Sequence, residues 1–139
     1  MKFLLDTNVV SELTKAQPNK AVVKWLNAAE EDFLFLSAAT LAEVRYGLER
    51  LEVGARRNAL EKWVADFLEE RFEGRILSVD ELVAKVWAQV LVRSEKTGRR
   101  MAIMDAFQAA CAQVHGLTLV TRDEEGFSGF HGEILNPWK

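Results

Sequence analysis

Four acidic residues, Asp6, Glu43, Asp105 and Asp123, stand where secondary structure can bring them to one place. Asp6 closes the apolar run Phe3-Leu4-Leu5, which reads as a buried strand; Thr7-Asn8-Val9-Val10-Ser11-Glu12-Leu13 reads as the turn into a helix. A buried strand that ends on Asp-Thr-Asn puts a carboxylate at the carboxyl edge of a parallel sheet, where open α/β folds bind their ligands. Asp123 follows Leu117-Thr118-Leu119-Val120, a second such strand. Four carboxylates converging on one point repel each other unless a cation sits among them. An all-oxygen donor set suits a hard ion, Mg²⁺ or Mn²⁺. Such ions neutralise phosphate and activate water, which supports in-line hydrolysis of a phosphodiester. Thr7, Asn8, Ser37 and Thr121 flank the acids, as hydroxyls and amides to hold them or to touch a phosphate. Taken singly, Asp105 reads as a helix-dipole partner, Glu43 as a solvated helix residue and Asp123 as a turn residue. Their joint placement favours the metal site.

The elements that must position these residues are legible from periodicity. A helix from about Ala38 carries Leu41, Val44, Leu48 and Leu51 on one stripe, and Glu43 lies about 120° from its middle. Asp105 falls in the first turn of a helix from about Ile103 to Val114, nearly opposite the bulky stripe Ile103, Phe107, Ala110 and Val114. It shares its face with Ala109 and Ala112, which should leave room above it. Further strands are expected at 33–36, 75–78 and 133–135, the last at a sheet edge. Helices are expected from Asn19, from Gly54 to about Leu68, and from Asp80 to about Lys96. The wide apolar face of that last helix, from Leu82 to Leu91, predicts burial on more than one side. Strands separated by helices imply a three-layer α/β/α domain with a mostly parallel sheet of four to five strands.

The chain has 139 residues, which suits one domain over 1–139. A net charge of −3 advertises no polyanionic partner, so any nucleic-acid contact must come from a local patch. Arg93, Lys96, Arg99 and Arg100 form one basic run that could track a nucleic-acid backbone. Cys111 is the only cysteine, which excludes an internal disulfide and a cysteine-based zinc site. With only His115 and His131, a histidine-rich metal site is excluded as well. Trp25, Trp63, Trp87 and Trp138 read mainly as core. No apolar stretch approaches the roughly 20 residues of a membrane span, and Asp6 interrupts the N-terminal apolar run. A cytoplasmic location is expected.

These residues resemble a known family. FLLDTNVVSEL at 3–13 is similar to the opening of PIN-domain nucleases, and LSAATLAEVRYGLERL at 36–51 resembles their second motif, with Glu43 at the acidic position. DAFQAACAQVHGLTLVTRD at 105–123 resembles the third and fourth motifs, and ILNPW at 134–138 the closing segment. The nearest subgroup is the VapC toxins, particularly the FitB-like ones. The resemblance implies a Mg²⁺-dependent endoribonuclease that leaves a 5′-phosphate and serves as the toxin of a type II toxin–antitoxin system. It also implies a homodimer held by a cognate VapB-like antitoxin, with DNA reached only through that antitoxin. Asp6 and Asp105 would ligate metal directly; Glu43 and Asp123 would act through water, complete a second ion site or orient the attacking water. One departure stands out: many relatives carry Thr-Arg-Asn and then an Asp-Phe pair, where this chain has Gly126-Phe127. Two rival readings are a catalytically silent PIN-fold interaction domain and an aspartyl phosphotransfer enzyme using Asp6. The second usually needs an acid two residues on, where Asn8 stands.

Overall fold

The computed structural model describes all residues from Met1 to Lys139. Its strands are β1 (Phe3–Leu5), β2 (Leu34–Ser37), β3 (Ile76–Leu77), β4 (Thr118–Val120) and β5 (Ile134–Leu135). They form one sheet in the order β3-β2-β1-β4-β5, every pair parallel. The three central strands are near-continuous apolar runs, as strands covered on both faces must be. Leu4, Leu34, Leu36, Leu119 and Val120 are fully buried.

Six helices cover the two faces: α1 (Thr7–Glu12), α2 (Lys20–Ala28), α3 (Ala38–Glu49), α4 (Ala55–Trp63), α5 (Glu81–Lys96) and α6 (Ile103–His115). Side-chain alternation along β1 splits the core in two. Leu4 joins Val90, Met101, Ala109, Ala112 and Leu119 beneath α5 and α6. Leu5 joins Val9, Val10, Val22, Leu26 and Val64 beneath α1, α2 and α4. The result is the expected three-layer α/β/α arrangement. No helix is long and apolar enough to cross a membrane.

Four details depart from the sequence reading. The fourth helix continues as a π-helical stretch, Val64–Glu70, that keeps Val64 and Leu68 buried; nothing in the residue pattern marks the change. On α5 only Val83, Val90 and Leu91 are buried among the apolar positions, and Leu82 is 55% exposed. The far side of that helix faces solvent because only α6 packs closely on it. Ala109 and Ala112 leave no open space: both are buried, and their small side chains let α6 pack closely on the sheet. The four tryptophans are half-buried at the margins of the core.

α6 stops at Gly116, whose φ of 64° is left-handed and whose N–H reaches back to the carbonyls of Ala112 and Gln113. That reversal delivers β4 two residues later. An added Cβ at Gly116 would meet no atom within 4 Å, so conformation alone opposes a side chain there. Gly116→Ala should therefore cost about 1–2 kcal/mol of stability. Urea unfolding measures it, and an unchanged midpoint would mean that the turn adopts another geometry.

Candidate active site

Strand register places the first acid. Leu5 pairs with Val120, so the next residues, Asp6 and Thr121, leave the sheet side by side. The Asp6 N–H donates to the Val120 carbonyl at 2.9 Å, and the Thr121 hydroxyl donates to Asp6 Oδ2 at 2.8 Å. Asp6 is also the N-cap of α1, its Oδ1 accepting from the Thr7 N–H at 2.8 Å. Both carboxylate oxygens are thus fixed on a residue only 5% exposed. Asn8 braces the same corner: its Nδ2 donates to Thr121 Oγ1 at 3.1 Å.

Glu43 is held from the opposite direction. The Thr7 hydroxyl donates to Glu43 Oε1 at 2.7 Å and lies 3.2 Å from the Thr40 hydroxyl. Gln108 Nε2 donates to Thr40 Oγ1 and, at 3.3 Å, to Thr7 Oγ1. Ser37, the N-cap of α3, donates through its hydroxyl to Gln108 Oε1 at 2.8 Å. Ser37, Thr40, Gln108 and Thr121 are all fully buried. Ser37 and Thr121 therefore support the acids and do not reach the cleft surface themselves. Thr40 and Gln108 escaped the sequence reading, although Gln108 stands one helical turn after Asp105 and Thr40 three residues before Glu43.

Asp6, Glu43, Asp105 and Asp123 line one cleft of about 420 Å³. As the side chains stand, no three of them are already gathered as a metal-holding group. Within that cleft Thr7 and Thr121 fix the Glu43 and Asp6 carboxylates by hydrogen bonds. Burial pushes Asp105 from 3.8 up to about 7, with the charges of Asp6, Glu43 and Asp123 adding to it. No hydrogen bond offsets that rise. Asp6 is pushed up to about 6, again mainly by burial, while its bonds from Thr121 and Thr7 oppose the shift. Burial outweighs mutual repulsion in both. A half-buried, unpartnered carboxylate facing three others is the donor set a hard cation fits. Asp6, by contrast, is a poor covalent nucleophile, being buried with both oxygens engaged.

Asp123 both lines the cleft and closes a turn. Its Oδ1 accepts from the Gly126 N–H at 3.0 Å, closing the short 3₁₀ turn Glu125–Phe127. A Cβ at residue 126 would lie 2.2 Å from Asp123 Oδ2. The glycine that departs from the usual pattern is thus what lets this carboxylate sit where it does.

A parallel α/β sheet with acids gathered at its carboxyl edge defines a nuclease-like class of domain, and the PIN domain family matches residues 3–130. The chain belongs to the PIN-domain family, in the branch of FitB and the VapC proteins. It is 40% identical over 136 residues to Toxin FitB of Neisseria gonorrhoeae, covering 98% of each chain. It is 35% identical to VapC ribonuclease Y4jK of Sinorhizobium fredii, covering 99% of this chain and 98% of that one. The crystal structure of FitAcB from Neisseria gonorrhoeae superposes with a TM-score of 0.91 at 40% identity, over 98% of both chains. FitAB bound to an IR36 DNA fragment gives 0.92 at 39% identity, over 99% of this chain and 96% of that one.

The folded pKa values of Asp6 and Asp105 lie above the unfolded value near 3.8. Their contribution to stability is present below that value and is lost as pH rises through about 6 to 7. In chelator, the melting temperature should fall over this window. Added Mg²⁺ should raise it more at about pH 8 than at about pH 5, where both acids hold protons; an equal shift at both would place the ion elsewhere. Separately, Gly126→Ala should displace the Asp123 carboxylate and lower metal-dependent phosphodiester cleavage to the level of Asp123→Asn. Full cleavage by Gly126→Ala would show that Asp123 need not hold this position.

Proposed function

We propose that this chain, acting over 1–139 as one PIN domain, is a Mg²⁺-dependent endoribonuclease and the toxin of a type II toxin–antitoxin pair in the cytoplasm. The observation that carries the reading is Asp105: half-buried, without a hydrogen-bond partner and raised to about 7, it faces Asp6, Glu43 and Asp123 across one cleft. Resemblance to relatives named as toxin and as ribonuclease along nearly the whole chain supports it.

Asp6 and Asp105 would hold the ion, with Glu43 and Asp123 reaching it through water; Mn²⁺ would fit the same oxygens. The bound ion supplies a lowered water pKa and charge to offset the phosphate. The protein's own part is orientation. Thr121 and the Thr7 N–H fix Asp6. Thr7 engages Glu43 Oε1 and leaves Oε2 to accept a proton from a water. Gln108 and Thr40 hold Thr7 in that pose.

The antitoxin reading rests on a second groove. Val10, Leu13, Val44, Leu51, Leu60 and Trp63 line a groove of about 530 Å³ that shares Thr7, Ser11 and Glu43 with the acidic cleft. An amphipathic segment of a VapB-like antitoxin laid there would bury apolar side chains. It would also deliver a basic residue, most simply an Arg, to the acids in competition with Mg²⁺. DNA would be reached only through that antitoxin. A homodimer would bury exposed apolar side chains, of which Val79, Leu82 and Ile103 are three.

Asp6→Asn or Asp105→Asn should abolish metal-dependent RNA cleavage, a loss on the order of 10²-fold or more, while the circular dichroism spectrum keeps its parental form. Wild-type rates from either variant at limiting metal would remove that residue from the site. In cells, expression of the chain alone should stop growth, and co-expression of the antitoxin should restore it. A chain that is harmless alone and cleaves no RNA would end the toxin reading.

A further inference from the structure

The cleft that holds the acids also carries two cations and one aromatic ring: Lys15, Arg122 and Trp138. Arg122 forms no ion pair. Its guanidinium lies 5.6 Å from the centre of the Trp138 ring, which orders a side chain that would otherwise be free. The C-terminal segment is stapled to the same place. Asn136 Nδ2 donates to the Arg122 carbonyl at 3.3 Å, and the Trp138 N–H donates to Asn136 Oδ1 at 2.9 Å. Lys15 is ordered differently. Its ammonium pairs at 2.8 Å with Glu12, a carboxylate only 5% exposed whose Oε2 accepts from the Asn19 N–H at 2.9 Å. An ammonium has three donors, and Glu12 uses one.

Three members of the basic run that the sequence offered as a nucleic-acid track are otherwise engaged, and the fourth, Lys96, lies outside the acidic cleft. Arg93 donates to the Gly129 carbonyl and to Gln113. Arg99 pairs with Glu125, and Arg100 with Glu95. A polyanion entering among four carboxylates needs compensating positive charge close by, and Arg122 and Lys15 are the cations on that wall. The cleft is on the scale of a ligand pocket, which suits one strand's backbone rather than a duplex.

We infer that Arg122 and Lys15 form a subsite for a backbone phosphate of single-stranded RNA flanking the scissile bond, with Trp138 and Glu12 as the positioning residues of the two cations. The inference rests on the ribonuclease reading above. It assigns the fixing of the strand to this pair and leaves the reacting phosphate to the acids. Phosphate contacts of this kind carry no sequence information, so the subsite sets affinity and register.

The test is RNA binding, read without cleavage. In an Asp105→Asn background, fluorescence anisotropy with an end-labelled single-stranded RNA oligomer is followed across a salt series. Arg122→Ala and Lys15→Ala should each weaken binding roughly tenfold at low salt. Each should also flatten the plot of log affinity against log salt by about 0.7, the slope lost with one single-strand phosphate contact. Trp138→Ala should weaken binding while keeping the slope, since the charge remains, and Trp138→Phe should restore affinity. Lys96→Ala, away from the cleft, should leave the slope as it was. If the Asp105→Asn parent binds RNA and neither Arg122→Ala nor Lys15→Ala changes the slope, the subsite is overturned and the ribonuclease reading stands. If the parent and the wild-type chain both fail to bind RNA, the ribonuclease reading falls and the subsite with it.

Discussion

The hydrogen bond from Thr121 to Asp6 depends on one strand register, and the rest of the site depends on that bond. β1 and β4 lie 115 positions apart in sequence at this contact, yet pair so that Leu5 faces Val120. A slip of one residue would turn Asp6 into the opposite layer and away from Thr121. The register is strongly specified because Leu4 and Leu5 feed separate apolar clusters on the two sides of the sheet. Hydrophobic burial, which is non-directional, thereby fixes a polar contact that needs directional accuracy.

From that corner the site is built outward through buried hydroxyls and one amide. Ser37, Gln108, Thr40 and Thr7 form a connected set that ends on Glu43 and ties α3, α6 and α1 together. No buried side-chain polar atom lacks a partner, so the network is satisfied without drawing on Asp105. The consequence is an asymmetry among the acids. Asp6 and Glu43 are anchored by the protein, Asp123 is seated on the Gly126 turn, and Asp105 alone accepts no hydrogen bond from the chain. Low-dielectric surroundings make an unpaired carboxylate costly, and an ion in the cleft is the natural relief.

Much of this was legible in the residues. A three-residue apolar run ending on Asp6 can be read as a buried strand with an acid at its carboxyl end, because strand burial on both faces erases alternation. Asp123 after Leu119-Val120 reads the same way. Glu43 and Asp105 were placed by helical period, and both reached the cleft. Other features were hidden for identifiable reasons. Gln108 looks like one more polar helix residue, and only its three-dimensional neighbours make it the centre of a network. The role of Gly126 lies in a close approach to a side chain three residues earlier. The exposure of Leu82 depends on which neighbours α5 has, and a helical wheel does not contain that information.

The central claim is that a divalent cation binds in the cleft bounded by Asp6, Glu43, Asp105 and Asp123. Anomalous diffraction from crystals soaked in Mn²⁺ tests it most directly, since the ion is located without reference to activity. The account predicts a peak in that cleft, in contact with Asp6 and Asp105, that disappears when both are replaced by Asn. A peak at another site with the cleft bare, in crystals of protein that still cleaves RNA, would contradict it.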